Sequence, residues 1–304
     1  MNVSYQEYIF RFKFAKEISI NLNTISVIRS ILGMNLKSMC CLSKNTDCHN
    51  CLYSGTCIYA TFFESIISKN NTVLSGRNTA SHPFVLSLFT NEKQSEILKL
   101  KLVLFGKYTE YLPYIYGAFV RAGKKGFGKE RIPFEVSDIT VDETSILECD
   151  DKLSTDYELK KWDSNFVSSE RNGEILIRLK TPLRYKAGGN YAHEINVQDF
   201  LNCLYRRSKT ICGFYGNYDE EKDIFDTENC QLSVIEQSIK WSENNRYSSR
   251  QKAEMSLGGM TGDFKLQGKF RQQDRDLIEF ARLFGAGKNT NFGLGQIDVW
   301  ERME

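Results

Sequence analysis

Four of the nine cysteines, Cys41, Cys48, Cys51 and Cys57, stand in the order C-x6-C-x2-C-x5-C. A C-x2-C pair places two thiolates on one side of an ion, and two flanking cysteines can complete a tetrahedron, so the spacing suits a structural zinc ion. Four thiolates also suit an iron–sulfur cluster, and a reduced cysteine-rich loop without metal is the plain alternative. Cys40 and His49 are the reserve ligands. Cys149, Cys203, Cys212 and Cys230 are scattered, as small buried apolar residues are. The chain has three histidines, His49, His82 and His193, and imidazole is the side chain best placed to move a proton near neutral pH. His82 precedes Pro83 at a strand start, a structural position. His49 lies inside C-H-N-C, and His193 ends the loop Gly188-Gly189-Asn190-Tyr191-Ala192-His193. Each is an acid–base candidate, with an ordinary loop residue as the alternative.

A second kind of chemistry is written in glycine. Ala122-Gly123-Lys124-Lys125-Gly126-Phe127-Gly128 recurs in outline as Ala286-Gly287-Lys288-Asn289-Thr290-Asn291-Phe292-Gly293-Leu294-Gly295. Glycines let successive backbone N–H groups turn toward one anion with no Cβ in the way. Lys288, Asn289, Thr290, Asn291 and Phe292 add charge, hydrogen-bonding groups and a ring that can meet phosphate, ribose and base edges. Lys124 and Lys125 offer the same charge in the first copy, where a simple turn is an equal reading. A Walker loop needs a strand before it and a helix after it, and here the order is reversed. Arg246 and Arg250 lie in a second basic stretch, whose bland reading is a solvated face.

The elements that must position these residues come in two matching sets. Alternation of apolar residues over 8–14 predicts a strand, and Ile25, Ile28, Leu32, Leu36 and Met39 predict a helix capped at Asn23 or Thr24. Strands follow at 83–89 and 97–105, a helix at 111–122 and a strand at 132–139. The second half repeats the order, with strand 173–180, helix 197–214, strands 232–241 and 264–270, helix 274–284 and strand 296–300. Each half reads as β-α-β-β-α-β, so the expected fold class is α+β, two tandem ferredoxin-like (RRM-like) domains. The boundaries expected are 1–142 with a cysteine-rich insertion at about 40–80, an acidic linker at 143–170, and 171–304.

Composition sets limits. With 304 residues, 41% hydrophobic and 26% charged, the chain has the balance of a globular protein of about two domains. No apolar run approaches the roughly 20 residues of a membrane-spanning helix, and the charged, alternating start is unlike a signal peptide. A cytoplasmic protein with no membrane partner is expected. A net charge of +2 does not by itself announce a nucleic acid; the local basic runs do more.

These blocks carry a resemblance. Gly258-Gly259-Met260-Thr261-Gly262, Gly268 and the run 287–295 resemble the signature of the CRISPR repeat-processing endoribonucleases, the Cas6-type members of the RAMP superfamily. Thr181-Pro182-Leu183-Arg184-Tyr185-Lys186, Arg206-Arg207, the run 246–251, Arg29 to Gly33 and the run 82–86 are similar to further family blocks. The resemblance spans nearly the whole chain and is most specific in its last third. It implies two ferredoxin-like domains, CRISPR repeat RNA as partner, and cleavage in which the RNA's own 2′-hydroxyl attacks the neighbouring phosphate. The products would be a 2′,3′-cyclic phosphate and a 5′-hydroxyl, with no cofactor for catalysis. It also places a catalytic histidine after the first helix in many members, where His49 stands, which leaves His193 and His49 level as candidates, while members without one would use residues such as Tyr191, Lys186 or Arg29. A cysteine block followed by Tyr59, Phe62, Phe63 and Glu64 is similar to one found in certain members. The rival readings are a non-cleaving crRNA-binding subunit of a CRISPR effector complex and a general tandem RRM protein. The second lacks its aromatic RNP strand motif.

Overall fold

The alternation at the N-terminus becomes one long strand, β1 (Asn2–Ser19), with Tyr8, Phe10, Phe12 and Phe14 buried and Arg11 and Lys13 exposed. The computed structural model describes all residues except 22, 44–45, 68–70, 75, 90–91, 165–168, 227–228, 244, 249–252 and 304, and except the side chains of 245–248 and 253–255. Helix α1 (Thr24–Cys40) follows, then β2 (Phe84–Leu88), β3 (Gln94–Phe105), α2 (Leu112–Lys125), β4 (Phe134–Val141) and a short β5 (Thr144–Ser145). Asn23 makes no side-chain cap on α1; Thr24 Oγ1 instead accepts from the Asn21 N–H at 2.9 Å. The strands lie in the order β2-β3-β1-β4-β5, all pairs antiparallel, with Phe10 opposite both Leu100 and Ile139. Phe119 of α2 meets Phe10 and Phe12 edge-on at 5.3 and 5.0 Å, which seats the helix on the aromatic stripe. Each such buried ring contributes about 1.5–3 kcal/mol relative to exposure.

The chain forms two units. The first is Val3–Lys161 with Phe214–Gly216, and the second is Met1–Asn2, Trp162–Gly213 and Asn217–Glu304. The segment expected as a linker, 143–170, is therefore structured in its first part. Ile146 is buried, Leu147 bridges to Leu153, and the Tyr157 hydroxyl lies 3.1 Å from that of Tyr8. Its abundance of acids conceals a few apolar residues that close the first core.

The second unit contains β6 (Lys160–Asp163) from Trp162 onward, β7 (Glu170–Leu183), the small strands β8 (Lys186–Ala187) and β9 (Asn190–Tyr191), and α3 (Val197–Tyr215) up to Gly213. It continues with β10 (Gln231–Ser242), β11 (Asn245–Ser248), β12 (Ala253–Ser256), β13 (Gly259–Arg271), α4 (Gln272–Phe284) and β14 (Ile297–Met303). Its main sheet runs β10-β13-β7-β14, the same permutation of chain order as β2-β3-β1-β4. Both units are thus ferredoxin-like, as the repeated pattern predicts. Ile175, Ile177, Leu179, Phe264 and Leu266 face the core with Phe200, Leu204, Leu277 and Phe280 of the helices. On the opposite face, cross-strand ion pairs link Lys180 to Asp298, Arg178 to Asp263, Lys265 to Glu174 and Glu236, and Lys269 to Glu170. Those exposed pairs add little stability, but they leave that face with few cations for an incoming phosphate. No helix among the described residues is long and apolar enough to cross a membrane.

Candidate nucleic-acid interface

Between α4 and β14 the backbone turns through five residues of positive φ: Gly285 (78°), Gly287 (72°), Asn289 (63°), Gly293 (79°) and Gly295 (71°). At Gly295 a Cβ would lie 1.9 Å from the Ala286 carbonyl oxygen, and at Gly287 one would lie 2.4 Å from that of Arg184. The loop is closed on itself, since the Ala286 N–H donates to Gly295 O at 2.8 Å and 290–292 form a 3-10 turn. It is also zipped to the segment that follows β7. The Gly295 N–H donates to Pro182 O (3.0 Å), the Lys288 N–H to Arg184 O (2.8 Å), and the Gln296 N–H to Thr181 Oγ1 (2.9 Å). From below, the guanidinium of Arg207 donates to Gly285 O and Phe284 O at 2.8 and 2.9 Å, filling the open C-terminal end of α4. Burial lowers the Arg207 pKa to about 10, so it remains a cation at neutral pH.

The segment gripping the loop carries the reactive side chains. After buried Tyr185 the chain makes the β8–β9 hairpin through Gly188 (φ 55°) and Gly189 (φ 89°), the paired left-handed residues of a tight hairpin turn. The hairpin presents Tyr191, whose ring has Arg184 at 4.0 Å, Lys186 at 5.6 Å and Lys288 at 6.0 Å from its centroid. Two residues on, exposed His193 stacks obliquely on Trp241 of β10, centroids 4.5 Å apart, and Tyr191 lies 6.2 Å from the same indole. The indole N–H donates to Glu243 Oε1 at 2.6 Å. Among the described residues, no carboxylate pairs with Arg184, Lys186 or Lys288, in contrast to the cations of the open sheet face. Cations without a described carboxylate partner, set beside stacked rings, are groups that can take a phosphate chain and its bases.

Several expected residues meet here and others do not. Tyr191, His193, Lys288 and the glycines are brought together. Thr290 and Asn291, also expected to bind RNA, are buried, at 5% and 8% exposure, in the 3-10 turn that closes the loop. Asn289 and Phe292 are partly exposed. Trp241 and the loop's pairing with 181–184 had no signal in the sequence. The first glycine run is a turn: 122–125 are still helical, Phe127 is buried and bridges Ile132, and Gly126 (φ 86°) ends α2. Lys124 and Lys125 are exposed there, with Lys125 donating to Asn35 at 2.9 Å. The Arg246 side chain and Arg250 lie outside the described residues. His49 is exposed in a 3-10 turn of the first unit, its N–H held by Asp47. Cys41, Cys48, Cys51 and Cys57 line one cavity, yet among the described residues no three His, Cys, Asp or Glu side chains are placed to hold a metal ion.

One prediction separates binding from folding. Lys288→Ala should weaken RNA binding and make its dependence on log salt shallower by about 0.7, the share of one phosphate contact on a single strand. Its melting temperature should be unchanged. Gly295→Val should lower both stability and binding, because a left-handed valine costs about 1–3 kcal/mol before any clash with Ala286. Normal affinity and salt slope in folded Lys288→Ala would reduce the loop to a turn.

The chain is thus built of two ferredoxin-like domains, the second with a glycine loop set in a cationic and aromatic end. Residues 3–157 match a family model described as an N-terminal domain (AF_1859_N), and residues 177–297 match CRISPR-associated endoribonuclease Cas6. By that second match, which covers residues 177–297, this is a Cas6-type protein. The fold is similar to that of a Cas6 product complex, with a TM-score of 0.58 at 12% identity over 98% of this chain and 99% of that one. It is similar to Thermus thermophilus Cas6, with a TM-score of 0.52 at 12% identity over 98% and 99%. A chain of a partial Cas6-RT-Cas1–Cas2 complex matches with a TM-score of 0.55 at 12% identity over 99% of this chain and 46% of that one. At such identity the likeness is one of fold. No curated protein matches the sequence.

Proposed function

We propose that this protein binds CRISPR repeat RNA at the Tyr191–Trp241–Lys288 surface and cuts it, releasing the crRNA from its precursor in the cytoplasm. The observation that carries the reading is the convergence of His193, Tyr191 and three cations, none paired with a described carboxylate, at the loop bearing the family signature. In the proposed reaction the 2′-oxygen attacks the adjacent phosphorus and loses its proton to a base, while the bond from phosphorus to the 5′-oxygen breaks and that oxygen gains a proton. The products are a 2′,3′-cyclic phosphate and a 5′-hydroxyl. His193 is suited to carry one of these protons, Tyr191 to orient the phosphate, and Lys186 and Lys288 to offset charge on the phosphorane. His49 is the alternative proton carrier. No ion or cofactor enters the cut, and a metal in the cysteine cavity would have a structural role.

The test is to incubate the purified protein with repeat RNA in EDTA and map the ends. Cleavage should persist and leave a cyclic phosphate; strict dependence on magnesium would overturn the mechanism. Tight binding without any cut would make the protein a non-cleaving crRNA-binding subunit of an effector complex instead.

A further inference from the structure

The described residues of segment 41–57 in the first unit form little regular structure. Among them the regular structure is one 3-10 turn, Cys48–Asn50, and Leu42, Leu52 and Tyr53 are exposed, Leu52 at 98%. Its backbone hydrogen bonds are short-range, among them Cys51 N–H to Cys48 O (3.4 Å), Ser54 N–H to Cys51 O (3.0 Å) and Cys57 N–H to Tyr53 O (2.8 Å). Yet its cysteines and Cys40 all line one cavity of about 280 Å³. Three pieces of backbone deliver them. Cys40 and Cys41 come from the C-terminal end of α1, Cys48 and Cys51 from the two ends of the 3-10 turn, and Cys57 from the chain just before the helical turn Ala60–Glu64. Residues three apart in a 3-10 turn eclipse each other, so Cys48 and Cys51 share one side. All five thiols are free.

A neutral thiol is a weak hydrogen-bond partner, so gathering five of them stabilises little by itself. A soft divalent cation changes that, because it converts adjacent thiols into ligands.

We propose that this cavity takes one zinc ion, bound by Cys41, Cys48, Cys51 and Cys57, and that the ion staples the insertion after α1. Each thiol gives its proton to solvent as its Zn–S bond forms, so the ion exchanges for four protons and the site carries two net negative charges. Lys37, whose ammonium lies 5.3 Å from the Tyr59 ring centroid beside the cavity, partly offsets them. Among the described residues no three of the thiols are placed to hold one ion together. Closing on it requires the loop to draw inward and Cys41 to release its 3.4 Å contact with Ser43 O.

The test uses the full chain purified without added metal. Elemental analysis should find about one zinc per chain, as for a closed four-cysteine site. Cobalt(II) added to chelator-stripped protein should give the intense thiolate-to-cobalt charge-transfer band. The double variant Cys48→Ser, Cys51→Ser should lose both signals and melt lower, while Cys149→Ser keeps them. If the double variant does not fold, the cobalt spectrum of the unaltered chain decides. No zinc after reconstitution with zinc chloride and no charge-transfer band would overturn the proposal. So would iron with visible absorbance, recovery of the thiols as disulfides, or a full equivalent of zinc in the double variant.

Discussion

Replacing His193 with alanine is expected to slow single-turnover cleavage of repeat RNA by ~10²–10⁴-fold, the usual contribution of a positioned acid or base. Affinity should change little, because Tyr191, Trp241 and the cations around them remain. A large loss of affinity with an unchanged cutting rate would assign His193 to base stacking on Trp241 rather than to proton transfer. The pH–rate profile adds an independent reading: the limb due to an imidazole should vanish in His193→Ala and persist in His49→Ala. His193 has an aromatic partner at 4.5 Å and cations held on the neighbouring ring. His49 has a capped turn and exposure. If His49→Ala alone slows the cut, the chemistry belongs to the first unit. If both variants and their combination cut normally, histidine is not the catalyst and Tyr191→Phe is the next variant.

The fold was legible because both units repeat the same hydrophobic periods. Leu98, Leu100, Leu102 and Leu104 alternate in β3, and Leu277, Ile278, Phe280, Ala281 and Phe284 recur at helical spacing in α4. The acidic run that opens with Asp142 misled because three apolar residues, Ile146, Leu147 and Leu153, decide its place, and charge hides them. The site was legible only in part. The glycines of 285–295 announce unusual backbone, and they take it. What they grip, the carbonyls of Pro182 and Arg184, lies about a hundred positions earlier, and pairing over that distance has no local signature. Trp241 sits in a strand without a motif and acquires meaning only from His193 beside it. Thr290 and Asn291 resemble ligand-binding residues in type, but the 3-10 turn they occupy folds them under the loop.

The claim at the centre of this account is that the RNA supplies its own nucleophile. It is tested most directly by a repeat RNA carrying a single 2′-deoxy nucleotide immediately 5′ of the scissile phosphate, compared with the all-ribose RNA in excess chelator. The deoxy RNA should bind with unchanged affinity and show no detectable cleavage at that phosphate, while the all-ribose RNA is cut to a 2′,3′-cyclic phosphate and a 5′-hydroxyl. Cleavage of the deoxy RNA at the same phosphate would contradict the account.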